Sequence, residues 1–168
     1  MQVKDMKGAI LASSVYLGGK QIAVNASLTL PEVTPATVEV MAAGGTIELP
    51  VHSKIEAMEA SITLQGINGE ALGLLTPERK RLTANLVQQS VGADSSKAEH
   101  VKATLEVVPK TVPSIEATYG EASETEHTFS VLSYKLSVAG KVVLHVDPVK
   151  GIYKVNGTDY AKDIKAML

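Results

Sequence analysis

The residues that could do chemistry are few, and their spacing says little for catalysis. His52, His100, His127 and His145 are scattered through the 168-residue chain, with no second histidine at a ligand spacing. A metal centre needs ligands that converge through close spacing or through the fold, so these read as surface or strand histidines. Glu121, Glu124 and Glu126, next to His127, form the densest acidic cluster. Carboxylates at that density can move protons or hold a hard cation; the same run also reads as a solvated, charged loop ahead of a strand. Arg79-Lys80-Arg81 is the basic run, preceded by Glu78. It is too short for a phosphate footprint and fits a strand start or an ion pair with an adjacent subunit. There is no nucleophile elbow and no Ser, His and Asp arrangement with local support. Gly18-Gly19 and Gly44-Gly45 lack a following helix to aim N–H groups at phosphate. Without Cys there is no thiolate, disulfide or iron–sulfur cluster. The chain reads as a non-enzyme with no cofactor and no metal.

Composition sets the scale of the elements that position these residues. Sixteen Lys and Arg against 18 Asp and Glu leave a net charge of −2, which gives no sequence-independent grip on nucleic acid. At this length one domain buries about 70% of its unfolded surface, so residues 1–168 read as a single domain. Aromatic residues are only 4% of the chain. A core of Val, Leu, Ile and Ala gains less per buried position, which makes burial by partner subunits a natural supplement. Lys4 and Lys7 before the apolar stretch from Gly8 suggest a signal peptide, but Asp5, Ser13 and Ser14 break that pattern. A hairpin, Val15-Tyr16-Leu17 turning at Gly18-Gly19, explains it better. No apolar run reaches the ~18 residues that span a bilayer.

Period-two alternation dominates. Val24, Ala26, Leu28 and Leu30 alternate with polar residues up to Pro31; Met58, Ala60, Ile62 and Leu64 repeat the pattern, as do Val101, Ala103, Leu105 and Val107. These predict strands with one dry and one wet face. The Gly- and Pro-flanked region from Val33 to Pro50 predicts an edge strand or a projecting arm, because Pro50 cannot donate to a ladder. Asn68 predicts the cap of a short helix from Glu70 to Leu75. Leu82 to Val91 predicts a strand despite a rival helix start at Thr76-Pro77, since Thr83, Val87 and Val91 are β-branched. Gly92 to Ser96 then reads as a hairpin loop. From Phe129 to Val138 the apolar phase changes between Val131 and Leu132, which predicts a β-bulge or burial on both faces. Ala139-Gly140 turns into a strand from Lys141 to Val146, Pro148 to Gly157 reads as a turn-rich strap, and Asp159 to Leu168 as a short helix. Asn156, Thr158 or Asp159 is available to cap that helix, with Ala161, Ile164 and Leu168 on one side.

Three segments in order give the chain a family likeness. They are Val15-Tyr16-Leu17-Gly18-Gly19-Lys20 leading to Ser27-Leu28-Thr29-Leu30-Pro31-Glu32-Val33-Thr34; the arm at Gly44-Gly45, then Ser61-Ile62-Thr63-Leu64-Gln65-Gly66; and Gly120-Glu121, Glu124-Thr125-Glu126, Tyr134-Lys135-Leu136, Gly140-Lys141, Val146-Asp147 and Lys154-Val155-Asn156-Gly157-Thr158-Asp159. Together they resemble the major tail tube protein of contractile-tailed bacteriophages and of related phage-tail-like bacteriocins. The likeness implies a mainly β subunit, an antiparallel β-sandwich or half-barrel with a short flanking helix and a short C-terminal helix, which completes a barrel across subunits. Six copies would close into a ring, and rings would stack into the inner tube of a virion tail assembled in the bacterial cytoplasm. The implied partners are the protein itself and the sheath, tape-measure and baseplate proteins, with DNA passing through unheld. The arm, through Val40, Met41, Ala42, Ala43, Gly44 and Gly45, is the candidate for stacking contacts between rings. On the wet strand faces, Thr83, Asn85, Gln89, Lys102, Thr104 and Glu106 are the candidates for the bore, which is then expected to be neutral to acidic. The alternatives are a tube of a DNA-free bacteriocin and a β-sandwich binding or adhesin module with an aromatic platform drawn from Tyr16, Tyr119, Tyr134, Tyr153, Tyr160 and Phe129.

Overall fold

A computed structural model describes residues 5–92 and 95–168; Ala93 and Asp94 of the expected hairpin loop, and the basic Lys4, lie outside the described residues. Strands β1 (Met6–Leu17), β2 (Lys20–Val24), β3 (Ser27–Thr29), β4 (Pro35–Ala42), β5 (Gly45–Ile55) and β6 (Met58–Gln65) precede a short helix α1 (Gly69–Gly73). Then come β7 (Lys80–Val91), β8 (Ser96–Pro109), β9 (Glu124–Val138), β10 (Lys141–Asp147), β11 (Ile152–Val155), β12 (Thr158–Asp159) and helix α2 (Lys162–Ala166). The main sheet runs β12-β11-β10-β9-β8-β7-β1-β2, with β6 joined to β9 and β3 joined to β6, while β4 and β5 form a sheet of their own. Every pairing is antiparallel. The architecture is mainly β and open, with two short helices, as the alternation predicts.

Turn chemistry places the hairpins. Gly18 and Gly19 take φ of 60° and 84°, so Leu17 meets Lys20 across a two-residue turn, and Ala139 and Gly140, at 50° and 79°, do the same for Val138 and Lys141. The Asn68 side chain caps α1 by accepting from the Glu70 and Ala71 N–H groups at 3.0 and 3.2 Å.

β9 is the hub. Its first half, Glu124–Val131, pairs with β6, its second half pairs with β10, and β8 lies along its other side. Against β8 the register steps from Glu106↔Ser133 to Val107↔Val131, which leaves Leu132 as the extra residue of a bulge. Burial changes phase there, from Thr125, His127, Phe129 and Val131 to Tyr134. The bulge lets one long strand keep its dry side inward in both halves. One apolar cluster then draws on Ile22 of β2, Ile62 of β6, Leu82 of β7, Leu105 of β8 and Val146 of β10 around Phe129. Because that cluster takes residues from both ends of the strand order, the sheet wraps round it.

Three expectations need correcting. The alternation from Val24 to Leu30 is not one strand: Asn25 adopts φ 52°, the chain leaves β1 after Val24, and β3 joins β6 instead. Asn25 holds that corner by closing on Ser13, its N–H donating to the Ser13 carbonyl at 2.8 Å and its Oδ1 accepting from the Ser13 N–H at 3.0 Å. Asn tolerates the left-handed region because its short amide can bond locally, and alternation carries no sign of such a residue. The strap after Pro148 contains β11 and β12, which extend the sheet past β10. Finally, α2 has no side-chain cap, and of Ala161, Ile164 and Leu168 only Ala161 is buried. Asp159 turns back instead, accepting from the Ala161 and Tyr153 N–H groups. Its burial pushes the carboxyl pKa up, and these two donors, together with the charges of Lys154 and Lys165, hold it below the usual range.

Candidate assembly surfaces

The segment expected as an edge strand or arm is a two-stranded hairpin that forms a sheet of its own. Register pairs Val38 with Leu49 and Val40 with Ile47 on one side, and Glu39 with Glu48 on the other. One side of the arm is thus apolar, and Val38, Val40, Ile47 and Leu49 all remain exposed. Pro50, opposite Thr37, is tolerated because a strand in a two-stranded ribbon has one side outside the ladder. At the tip, Met41 is almost fully exposed, and Ala42, Ala43, Gly44 and Gly45 make the turn. At the base, the His52 ring lies 5.3 Å from Tyr153 and 6.4 Å from Tyr160, centroid to centroid, which seats the arm on the β11–β12 corner. Sequence spacing gives no hint of that cluster, since His52 and Tyr153 are remote in the chain.

The six candidates for the bore come together on one face. Thr83 pairs with Thr104, Asn85 with Lys102, and Arg81 with Glu106, with Gln89 further along the same side of β7. The face continues through Lys135, opposite Thr104, and His145, opposite Lys135. It is not neutral to acidic. Arg81, Lys102, Lys135 and Lys150 line its hollow against Glu106 and Asp147. The missed signal is register: Lys135 and Lys150 are remote from Lys102 in sequence and reach it only through the β8–β9–β10 ladder. Burial, then the charge of Lys135, lowers the His145 pKa, with Lys154 and Lys150 acting in the same direction and Asp147 against them.

Elsewhere the charged motifs serve the fold. Arg79 forms an ion pair with Glu106 of its own chain. Lys80 starts β7 and donates to the Leu74 carbonyl, tying down the end of α1. Lys7 donates to both Glu99 carboxylate oxygens, at 2.9 and 2.7 Å, which lowers the Glu99 pKa. Glu121 and Glu124 line a shallow exposed hollow. The fold brings none of the four histidines together: His52 sits in the aromatic cluster, His100 contacts Asn85 at 3.2 Å, and His127 is buried beside Thr125. Among the described residues no group of three or more His, Asp or Glu could hold a metal ion, and no helix is long and apolar enough to cross a membrane. The aromatic residues do not gather into one platform, because Phe129 and Tyr134 are in the core and Tyr119 stands alone on a loop.

The sheet also leaves margins open. β2 covers β1 only from Ser14 to Leu17, so among the described residues the far side of β1 from Met6 to Ala12 lacks a strand partner. Met6, Ile10 and Leu11 on that stretch are exposed. Opposite, β11 covers β10 only from Leu144 onward. Unpaired margins of this kind template pairing with another chain.

An open sheet with free margins and an amphipathic hairpin is the design of a building block. Over residues 8–168 the chain matches the family described as phage tail tube protein FII, and it belongs to that family. It is therefore a tail tube protein, with a structural role. Among solved structures it is similar to a chain of the PVC sheath–tube complex of an extracellular contractile injection system in the extended state. The TM-score is 0.53 at 16% identity, covering 74% of this chain and 87% of that one. At that identity the likeness is one of fold. A search of curated protein sequences finds no significant match.

Proposed function

We propose that the protein closes into six-membered rings that stack into the inner tube of a contractile tail, a conduit for DNA. The observation that carries this is the unpaired margin of β1 from Met6 to Ala12, with exposed apolar side chains along it. A backbone edge left to water invites irregular association, and a ring of identical copies satisfies every margin at once. Neighbouring sheets would then complete a barrel across subunits. The arm supports stacking between rings: its exposed apolar side needs a cover, and Glu39 facing Glu48 is a like-charge pair that a neighbour's cation would relieve. Thr83, Asn85 and Gln89 are uncharged and suit a bore through which DNA slides once the cations of the same face are neutralised in the assembly. Sheath, tape-measure and baseplate proteins are the partners that such a tube requires in a virion tail.

Negative-stain imaging with sedimentation of the purified protein tests this reading. Rings or tubes of uniform width are expected; a lone monomer at every concentration overturns it. Deleting Val40 to Gly45 is expected to leave rings and abolish long tubes, and tubes of native length would remove the arm from the stacking contact.

A further inference from the structure

The cationic hollow on the β7–β10 face has a volume of about 370 Å³, and its two acids are already engaged. Glu106 pairs with Arg79, and buried Asp147 accepts the Lys150 backbone N–H at 3.0 Å. Arg81, Lys102, Lys135 and Lys150 have no ion pair among the described residues. Serines 133 and 137 and Thr104 supply hydroxyls beside them, and half-exposed Val142 supplies an apolar wall.

The complementary surface is the connection between β8 and β9, residues 110–123. Its ends are fixed, Lys110 donating to the Thr128 carbonyl at 3.0 Å and Gly66 donating to the Ser123 carbonyl at 2.7 Å. Between those ties it has no regular structure, and Val112, Ile115 and fully exposed Tyr119 stand in solvent with Glu116 and Glu121. Connections this long without secondary structure are uncommon and usually functional. No residue of this loop lines the hollow of its own chain. Glu124 beside it starts β9 and Lys135 in the hollow lies towards the other end of that strand, at most about 36 Å away at the rise of an extended strand.

We infer that the hollow receives the acidic β8–β9 loop of a second copy of this chain, so that charge sets the head-to-tail polarity of assembly. Glu116, Glu121 and Glu124 of one copy meet Lys102, Lys135 and Lys150 of the next, with Tyr119 and Ile115 against Val142. Opposite charges at the two ends of one polar face favour head-to-tail contact and oppose head-to-head contact. The inference rests on the assembly reading above. It also accounts for a tube that carries DNA, because a seated acidic loop neutralises the cations on this face.

Two variants test it by cross-complementation. K102E/K135E makes both surfaces acidic, and E116K/E121K makes both basic. Each alone should raise the critical concentration for assembly at least about tenfold, with the circular dichroism spectrum of the protomer unchanged. Mixed in equal amounts, they should co-assemble at close to the native concentration, because each then offers what the other lacks. Native assembly should weaken as salt rises, whereas contacts carried by apolar burial alone would not. Native-like assembly of either variant alone overturns the inference, and so does a mixture that fails to recover. In both cases the native protein still forms tubes, so the assembly reading stands; a native protein that never assembles removes both.

Discussion

Replacing Val38 and Leu49 by Ser removes one cross-strand apolar pair from the arm. Val38 is 48% and Leu49 is 44% exposed in the single protomer. Full burial of such a side chain stabilises by roughly 1.5–3 kcal/mol relative to full exposure, so covering the remaining half contributes about 1 kcal/mol at each position. The double variant therefore loses about 2 kcal/mol per arm contact, roughly a thirtyfold rise in the critical concentration for tube growth. The isolated protomer should melt close to the native temperature, since the arm's two strands form a sheet separate from the main one. Light scattering across a dilution series gives the first quantity, and thermal denaturation below the assembly threshold gives the second. Tubes at the native threshold would show that a neighbour does not cover this apolar side. A large fall in protomer melting temperature would show that the arm belongs to the core.

His127 is buried, and burial lowers its pKa below the ordinary imidazole value. The unfolded chain therefore takes up a proton first as pH falls, so protomer stability should hold above about pH 6.5 and decline below it. His145, shifted in the same direction, adds to the slope; in H127L the decline in melting temperature between neutral and mildly acidic pH should be shallower. Asn25→Ala loses the bond to the Ser13 N–H and strains the positive φ, costing about 1–3 kcal/mol by urea denaturation, and Asn25→Gly should recover the share due to φ. Leu105, fully buried and paired with Leu82, should cost about 2–5 kcal/mol as Leu105→Ala, read as a shifted urea midpoint.

Much of this was legible locally. Strands β6 and β8, the Gly18-Gly19 and Ala139-Gly140 turns, the Asn68 cap and the change of phase at Leu132 each follow from residues within a few positions of one another. They depend on backbone sterics and on the two-residue period of a pleated strand, which the chain carries wherever it folds. The arm was legible as a projection, but not its two-sided character, because that depends on which residue of β4 faces which residue of β5.

What the sequence alone determined, then, is the identity of most of the elements and the dry side of strands such as β6 and β8. Only the tertiary structure decided the rest: that β9 is shared between β6 and β10, that Asn25 breaks an apparently continuous strand, that His52 meets Tyr153, and that Lys102, Lys135 and Lys150 gather on one face. The physical reason is range. Side-chain alternation is a property of neighbouring residues, whereas a charged face is a sum over strands brought together by register, and register is fixed by the burial of distant apolar residues around Phe129.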